Sequence, residues 1–154
     1  MKEYLNIAQK LIRMDEGRRQ IPYNDATGIT VRTDQGNLTV AYGHNLAIPM
    51  SEQLMLMILQ YDLSVVDSEL QEYSFFASLS DNRKAALADM YYNLGAREFG
   101  QFKRMLTAIR QGDWQEAAKQ MQDSAWYEQV GSRAERLMYI ILHNQIPEYY
   151  GLAQ

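Results

Sequence analysis

Two acids raise the question of chemistry in this chain. Glu16 stands at the end of a stretch with helical apolar spacing, and Asp25 follows nine residues later in a turn-rich segment. At a helix C-terminus the backbone dipole is negative, and Asp15 adds a neighbouring charge. Both features disfavour the charged form of Glu16 and suit it to give a proton as a general acid. Asp25 lies among the polar turn residues Tyr23-Asn24-Asp25-Ala26-Thr27-Gly28, where solvent keeps a carboxylate ionised and able to hold a water. Two carboxyls in unlike surroundings are the minimum apparatus for glycoside hydrolysis. The spacing alone is equally compatible with a surface glutamate and an Asx-turn aspartate.

The elements that must hold these acids can be read from the pattern. A first helix is expected from about residue 2 to 16, with Leu5, Ala8, Leu11, Ile12 and Glu16 toward one side and Gly17 ending it. Residues 21–45 change character. Ile29-Thr30-Val31-Arg32-Thr33 is β-branched, Asp34-Gln35-Gly36-Asn37 is a turn, and Leu38-Thr39-Val40-Ala41-Tyr42 reads as a returning strand closed by Gly43. A hairpin or three-stranded meander of this size must pack on a helix. Ser51 is an expected N-cap for a long helix to about residue 72, with Leu54, Ile58, Tyr61 and Val65 marking one face, beside Met57 and Leu70. About 20 residues at roughly 1.5 Å each span roughly 30 Å, enough to join two lobes.

Helices are then expected over 81–94, stopped by Gly95, and over 99–111, stopped by Gly112. Another begins at Asp113-Trp114-Gln115-Glu116, which has capping-box spacing. Trp126-Tyr127 is read as a short turn, and Ser132-Arg133-Ala134-Glu135 as a capping box opening a last helix to about Asn144. The expected fold class is α+β, a single domain over 1–154. The first helix and residues 17–50 form a small β-hairpin lobe, 51–72 the connecting helix, and 73–154 a larger helical lobe.

Composition excludes several classes. The 154 residues carry a net charge of −4 with 22% charged and 47% hydrophobic residues, an ordinary globular balance that gives nucleic acid no basic stripe to hold. There are no cysteines, so disulfides, zinc–thiolate sites and cysteine nucleophiles are excluded. His44 has no second metal ligand spaced nearby, and no metal or cofactor is expected. The opening Met-Lys-Glu-Tyr-Leu-Asn-Ile-Ala-Gln-Lys reads as neither signal peptide nor anchor, and no membrane insertion is expected. His143 reads as a helix C-terminal cation, the nine methionines as core filler, and Trp114 and Trp126 as core anchors.

A longer constellation adds to this. Asp15-Glu16-Gly17, Tyr23-Asn24-Asp25 and Leu38-Thr39-Val40-Ala41-Tyr42-Gly43-His44 resemble the phage T4-type lysozyme family, glycoside hydrolase family 24. The resemblance continues through Arg83-Lys84-Ala85-Ala86-Leu87, Tyr92-Asn93-Leu94-Gly95, Arg104-Met105-Leu106, Trp114-Gln115-Glu116-Ala117-Ala118, Trp126-Tyr127 and Arg133-Ala134-Glu135-Arg136. It implies a lysozyme-like fold and an inverting muramidase, acting on peptidoglycan glycan strands. Glu16 would be the general acid, Asp25 would orient or deprotonate the attacking water, and Thr39 would help hold it. Tyr92, Asn93 and Asn45 would contact substrate. Arg133 would pair with Glu16, which favours the charged acid against the dipole and Asp15 and leaves the net direction unsigned. Asp15 would pair with Arg136, and His44 with Asp62.

The chain departs from that pattern in three places. Thirteen residues separate Asp25 from Thr39 where the family has five, which makes Thr27, Thr30 and Thr33 rivals to Thr39. Tyr92 and Asn93 replace a phenylalanine and a glutamine, and Ala125 replaces a cleft arginine. A monomer is expected. It would stay in the host cytoplasm until a separately made, holin-type pore admits it to the wall. A tail-associated or secreted muralytic effector, and a lysozyme-fold module that binds glycan or protein without turnover, remain alternatives.

Overall fold

The computed structural model describes residues 2–23, 39–42 and 44–151. Seven helices dominate these residues: α1 (Glu3–Glu16), α2 (Glu52–Leu70), α3 (Asp81–Phe99), α4 (Lys103–Gln111), α5 (Trp114–Gln122), α6 (Ala125–Val130) and α7 (Ser132–His143). One short antiparallel pair joins β1 (Thr39–Val40) to β2 (His44–Asn45), with Thr39 opposite Asn45 and Val40 opposite His44. Of the expected strand 38–42, Thr39 and Val40 are paired, and Ala41 and Tyr42 are not. The chain already turns at Ala41, whose φ of 51° lies in the left-handed region and ends the extended run. The Ile29–Asn37 hairpin lies outside the described residues.

Helix α1 starts without a side-chain cap but buries Tyr4, Leu5, Ala8, Leu11 and Ile12 along one stripe, so packing rather than capping holds it. It ends at Glu16 because Gly17 takes φ 73°, a conformation costly for any residue with a β-carbon. Ser51 caps α2 by accepting from the Leu54 amide at 3.2 Å. The buried face of α2 is Leu59, Leu63, Val66 and Leu70; of the expected face, Ile58, Tyr61 and Val65 are exposed, as is Met57. The helix is apolar on more than one side, so its periodicity does not select the stripe that meets the core.

Helix α3 is the centre of the molecule and packs against α1, α2 and α7. Its run Ala85 to Tyr91 is buried throughout. It is broken at Gly95 (φ 73°, ψ 167°), where the sequence places its end. The next helix begins at Lys103 rather than residue 99, because Phe99 belongs to the core-facing end of α3 and Phe102 is non-helical. Asp113 caps α5 by accepting from the Glu116 amide at 3.0 Å, but Glu116 turns to Gln120 rather than closing a box. Residues 125–130 form a helix instead of a turn, capped by Ser124 on the Tyr127 amide. Ser132 is not a cap: Gly131, at φ 55° and ψ −121°, occupies that position. No helix among the described residues is long and apolar enough to cross a membrane.

Trp126 is buried, and Trp114 lies under the Arg83 guanidinium, 3.6 Å from its ring centre. Met90, Met105 and Met121 fill the core, whereas Met14 and Met57 are exposed.

Candidate active site

Glu16, Asp15, Asp89, Arg133 and Arg136 meet where the end of α1 crosses α3 and the start of α7. Arg133 donates from Nη1 to Glu16 Oε1 at 2.6 Å and from Nε to Asp89 Oδ1 at 2.9 Å. Asp15 Oδ2 lies 4.0 Å from Arg133 Nε. Arg136 donates to Asp15 Oδ1 from Nη2 and to the Tyr150 hydroxyl from Nε at 3.1 Å. Tyr150 in turn donates to Asp15 Oδ2 at 2.7 Å. The i, i+3 spacing of Arg133 and Arg136 puts both guanidinia on one face of α7, opposite the consecutive acids of α1.

Burial divides the acids. The Asp15 and Asp89 side chains are 0% exposed, that of Glu16 is 39% exposed, and that of Arg133 is 8% exposed. Glu16 is thus the member that reaches outward. It lines an open cleft of about 750 Å³ with Gly17, Tyr23, Tyr92 and Met50. Burial, then the charges of Asp62 and Glu16, raises the Tyr92 hydroxyl above its usual range, so it stays a neutral hydrogen-bonding group beside the acid. For Arg133, burial works against the charge, but Asp89 and Glu16 outweigh it and hold the guanidinium more firmly protonated than usual.

The other expected site residues fall as follows. Asp25, Thr27, Thr30 and Thr33 lie outside the described residues. Thr39 is exposed on β1, and no hydrogen bond joins it to Glu16 or Arg133 among the described residues. Asn45 sits opposite it on β2, with Oδ1 accepting from the Ala47 amide at 2.9 Å. Asn93 does not line the cleft; its Oδ1 accepts from Trp126 Nε1 at 2.8 Å, which ties α3 to α6. The Arg133–Glu16 and Asp15–Arg136 pairs are formed as expected. The His44–Asp62 pair is not among the ion pairs of the described residues. His44 is exposed, and burial raises the Asp62 carboxyl above its usual range.

Asp89 and Tyr150 were not singled out by sequence reasoning. An acid inside the apolar run Ala85-Ala86-Leu87-Ala88-Asp89-Met90 is a usable signal, because a carboxyl on a buried helix face must find a partner. Tyr150 gives a direct test of how tightly this network is built. Tyr150→Phe removes a donor from a fully enclosed carboxylate and is expected to cost about 1.5–3 kcal/mol, read by denaturant unfolding. An unchanged midpoint would show that Arg136 alone satisfies Asp15.

An outward-facing carboxyl on a buried arginine thus stands at the rim of a cleft in a mostly helical domain. The sequence pattern of the phage lysozyme family matches residues 13–139, and the chain belongs to that family. The family supports a lysozyme-type hydrolase. Among relatives, the pre-baseplate central spike protein Gp5 of Enterobacteria phage T4 is 32% identical over 111 residues, 70% of this chain and 19% of that protein. Two Dictyostelium discoideum proteins match along nearly their whole length. Probable T4-type lysozyme 2 is 25% identical over 90% of this chain and 95% of its own, and probable T4-type lysozyme 1 is 23% identical over 85% and 91%.

Proposed function

We propose that this protein is a muramidase that hydrolyses the β-1,4 bond between N-acetylmuramic acid and N-acetylglucosamine in peptidoglycan, inverting the anomeric centre. The observation that carries this reading is the placement of Glu16. It ends α1 at the cleft, with one oxygen held by Arg133 and its carboxyl partly open to solvent. A proton on Glu16 passes to the glycosidic oxygen as the C–O bond breaks. Asp25 takes a proton from the water that attacks from the opposite face, and Thr39 helps to orient that water. Inversion requires room for this water, so the two carboxyls should stand about 6.5–9.5 Å apart. Tyr92 offers a neutral ring and hydroxyl to a sugar on the cleft wall. The working form is a monomer, and its partner is the glycan strand.

The biological role we favour is that of an endolysin reaching the wall through a separate pore. The match to a phage spike protein favours a second role, tail-associated wall penetration. Synthesis late in infection with a pore-forming neighbour separates the first from the second.

The test is digestion of purified peptidoglycan with product analysis. New reducing ends on muramic acid, released as the inverted anomer, are expected, and Glu16→Gln should release almost none. Reducing ends on glucosamine, or retained anomers, would overturn the stated reaction. Tight glycan binding without any new reducing ends would instead make the domain a binding module.

A further inference from the structure

Three carboxylates face two guanidinia in the cluster behind the cleft. Asp15 and Glu16 approach from α1, Asp89 from α3, Arg133 and Arg136 from α7, and the Tyr150 hydroxyl from the 3-10 turn at Glu148–Tyr150. With every acid ionised, the cluster holds one surplus negative charge in a largely water-free place, which is costly. One proton restores balance. Asp15 has both oxygens occupied, by Arg136 and Tyr150. Glu16 keeps access to water. Asp89 alone is fully buried with one oxygen bonded to Arg133 and the other, Oδ2, without a partner among the described residues.

We infer that Asp89 is a positioning residue for Glu16: its buried carboxyl carries the cluster's surplus proton, and the loss of that proton divides Arg133 between Asp89 and Glu16. While Asp89 is neutral, it anchors the Nε edge of the guanidinium as a hydrogen-bond acceptor and leaves the positive charge to the α1 acids. Once ionised, it competes for that charge and faces Glu16 with a second negative group. Burial pushes the Asp89 carboxyl up to about 7; Arg133 opposes the shift, and Asp15 and Glu16 add to it. The exchange therefore falls in the neutral range. Neighbouring groups coupled in this way titrate together, so each one's signal reports the other's proton.

This inference rests on the muramidase reading for what Glu16 does, but its test does not require turnover. Carboxyl carbons are followed by NMR across pH in the intact protein. In the wild type, the Glu16 resonance is expected to show a second inflection at the pH where Asp89 titrates. In Asp89→Asn, which keeps an acceptor for Arg133 Nε, that second inflection should vanish. The alkaline limb of peptidoglycan clearing should move to lower pH by up to about one unit.

An anchor with only a structural role would leave both readouts where they are. A wild-type Glu16 resonance with one inflection overturns the inference even if Asp89→Asn fails to fold. Clearing without coupling overturns this inference alone. Coupling without clearing overturns the muramidase reading and leaves the Asp89–Glu16 linkage standing.

Discussion

Glu16→Gln is expected to slow peptidoglycan clearing by about 10²–10⁴-fold, the range general-acid catalysis supplies, while leaving the fold intact. Glutamine keeps the shape of the side chain and an oxygen for Arg133, but it has no acidic proton to give the leaving oxygen. The charge balance of the cluster says what happens to stability. Wild type sets Asp15, Glu16 and Asp89 against Arg133 and Arg136, a surplus of one carboxylate. Wild type meets that surplus with the proton on Asp89; Glu16→Gln removes the surplus and with it the need for that proton. The lost ion pair is partly screened, because the Glu16 side chain is 39% exposed. The variant should therefore unfold at the wild-type temperature or slightly above it. Clearing rate and thermal midpoint measured on the same samples decide the matter. Near-normal clearing would remove Glu16 from the reaction, and a large fall in midpoint would show that its main work is structural.

Local signals in the sequence were reliable where the chemistry is local. Ser51 and Asp113 cap the helices expected of them because a side-chain oxygen needs only an amide three residues on. Gly17, Gly95 and Gly112 end or break helices because each takes positive φ. The same logic explains the failures. Ser124 before Ala125-Trp126-Tyr127 is a cap signal for the short helix that replaces the expected turn, and Ser132 to Glu135 has box spacing but lies one residue inside its helix, after Gly131. The inward face of α2 was not legible. Leu54, Ile58, Tyr61 and Val65 have the same period as Leu59, Leu63, Val66 and Leu70, and only tertiary packing distinguishes them.

For the site, Glu16 at the end of α1 follows from periodicity and Gly17. Its pairing with Arg133, 117 positions away, does not; that contact came from family resemblance. Asp89 belonged to neither kind of signal. It sits where helical periodicity demands an apolar residue, and the meaning of an acid there emerges only when α7 brings Arg133 against it.

Arg133→Met should be the most destabilising single change in this cluster, by about 3–5 kcal/mol at neutral pH. Methionine fills much the same volume without charge. It leaves Asp89 with no hydrogen-bond partner among the described residues, close to Asp15 and Glu16 and with Arg136 as the only remaining cation of the five-residue cluster. For a domain of this size the expected fall in midpoint is about 6–20 °C. The pH dependence has a definite sign. Burial already holds the folded-state Asp89 carboxyl above its unfolded value in the wild type, and removing the cation raises it further. Between the unfolded value, 3.8 for Asp89, and the raised folded value, the native state binds more protons, so stability falls as pH rises. Wild type shares this slope up to about 7; below that Asp89 is protonated in both folded proteins, so the variant should approach wild type there and fall behind it above. Adding Asp89→Leu to Arg133→Met removes the stranded carboxyl, and most of the lost stability should return, as buried ion pairs replaced by apolar side chains commonly show. Denaturant unfolding at pH 4.5 and pH 7.5 measures all of this. A cost that is the same at both pH values, or a double variant no more stable than Arg133→Met, would mean that Arg133 acts through packing and not as the cation that balances Asp89 and Glu16.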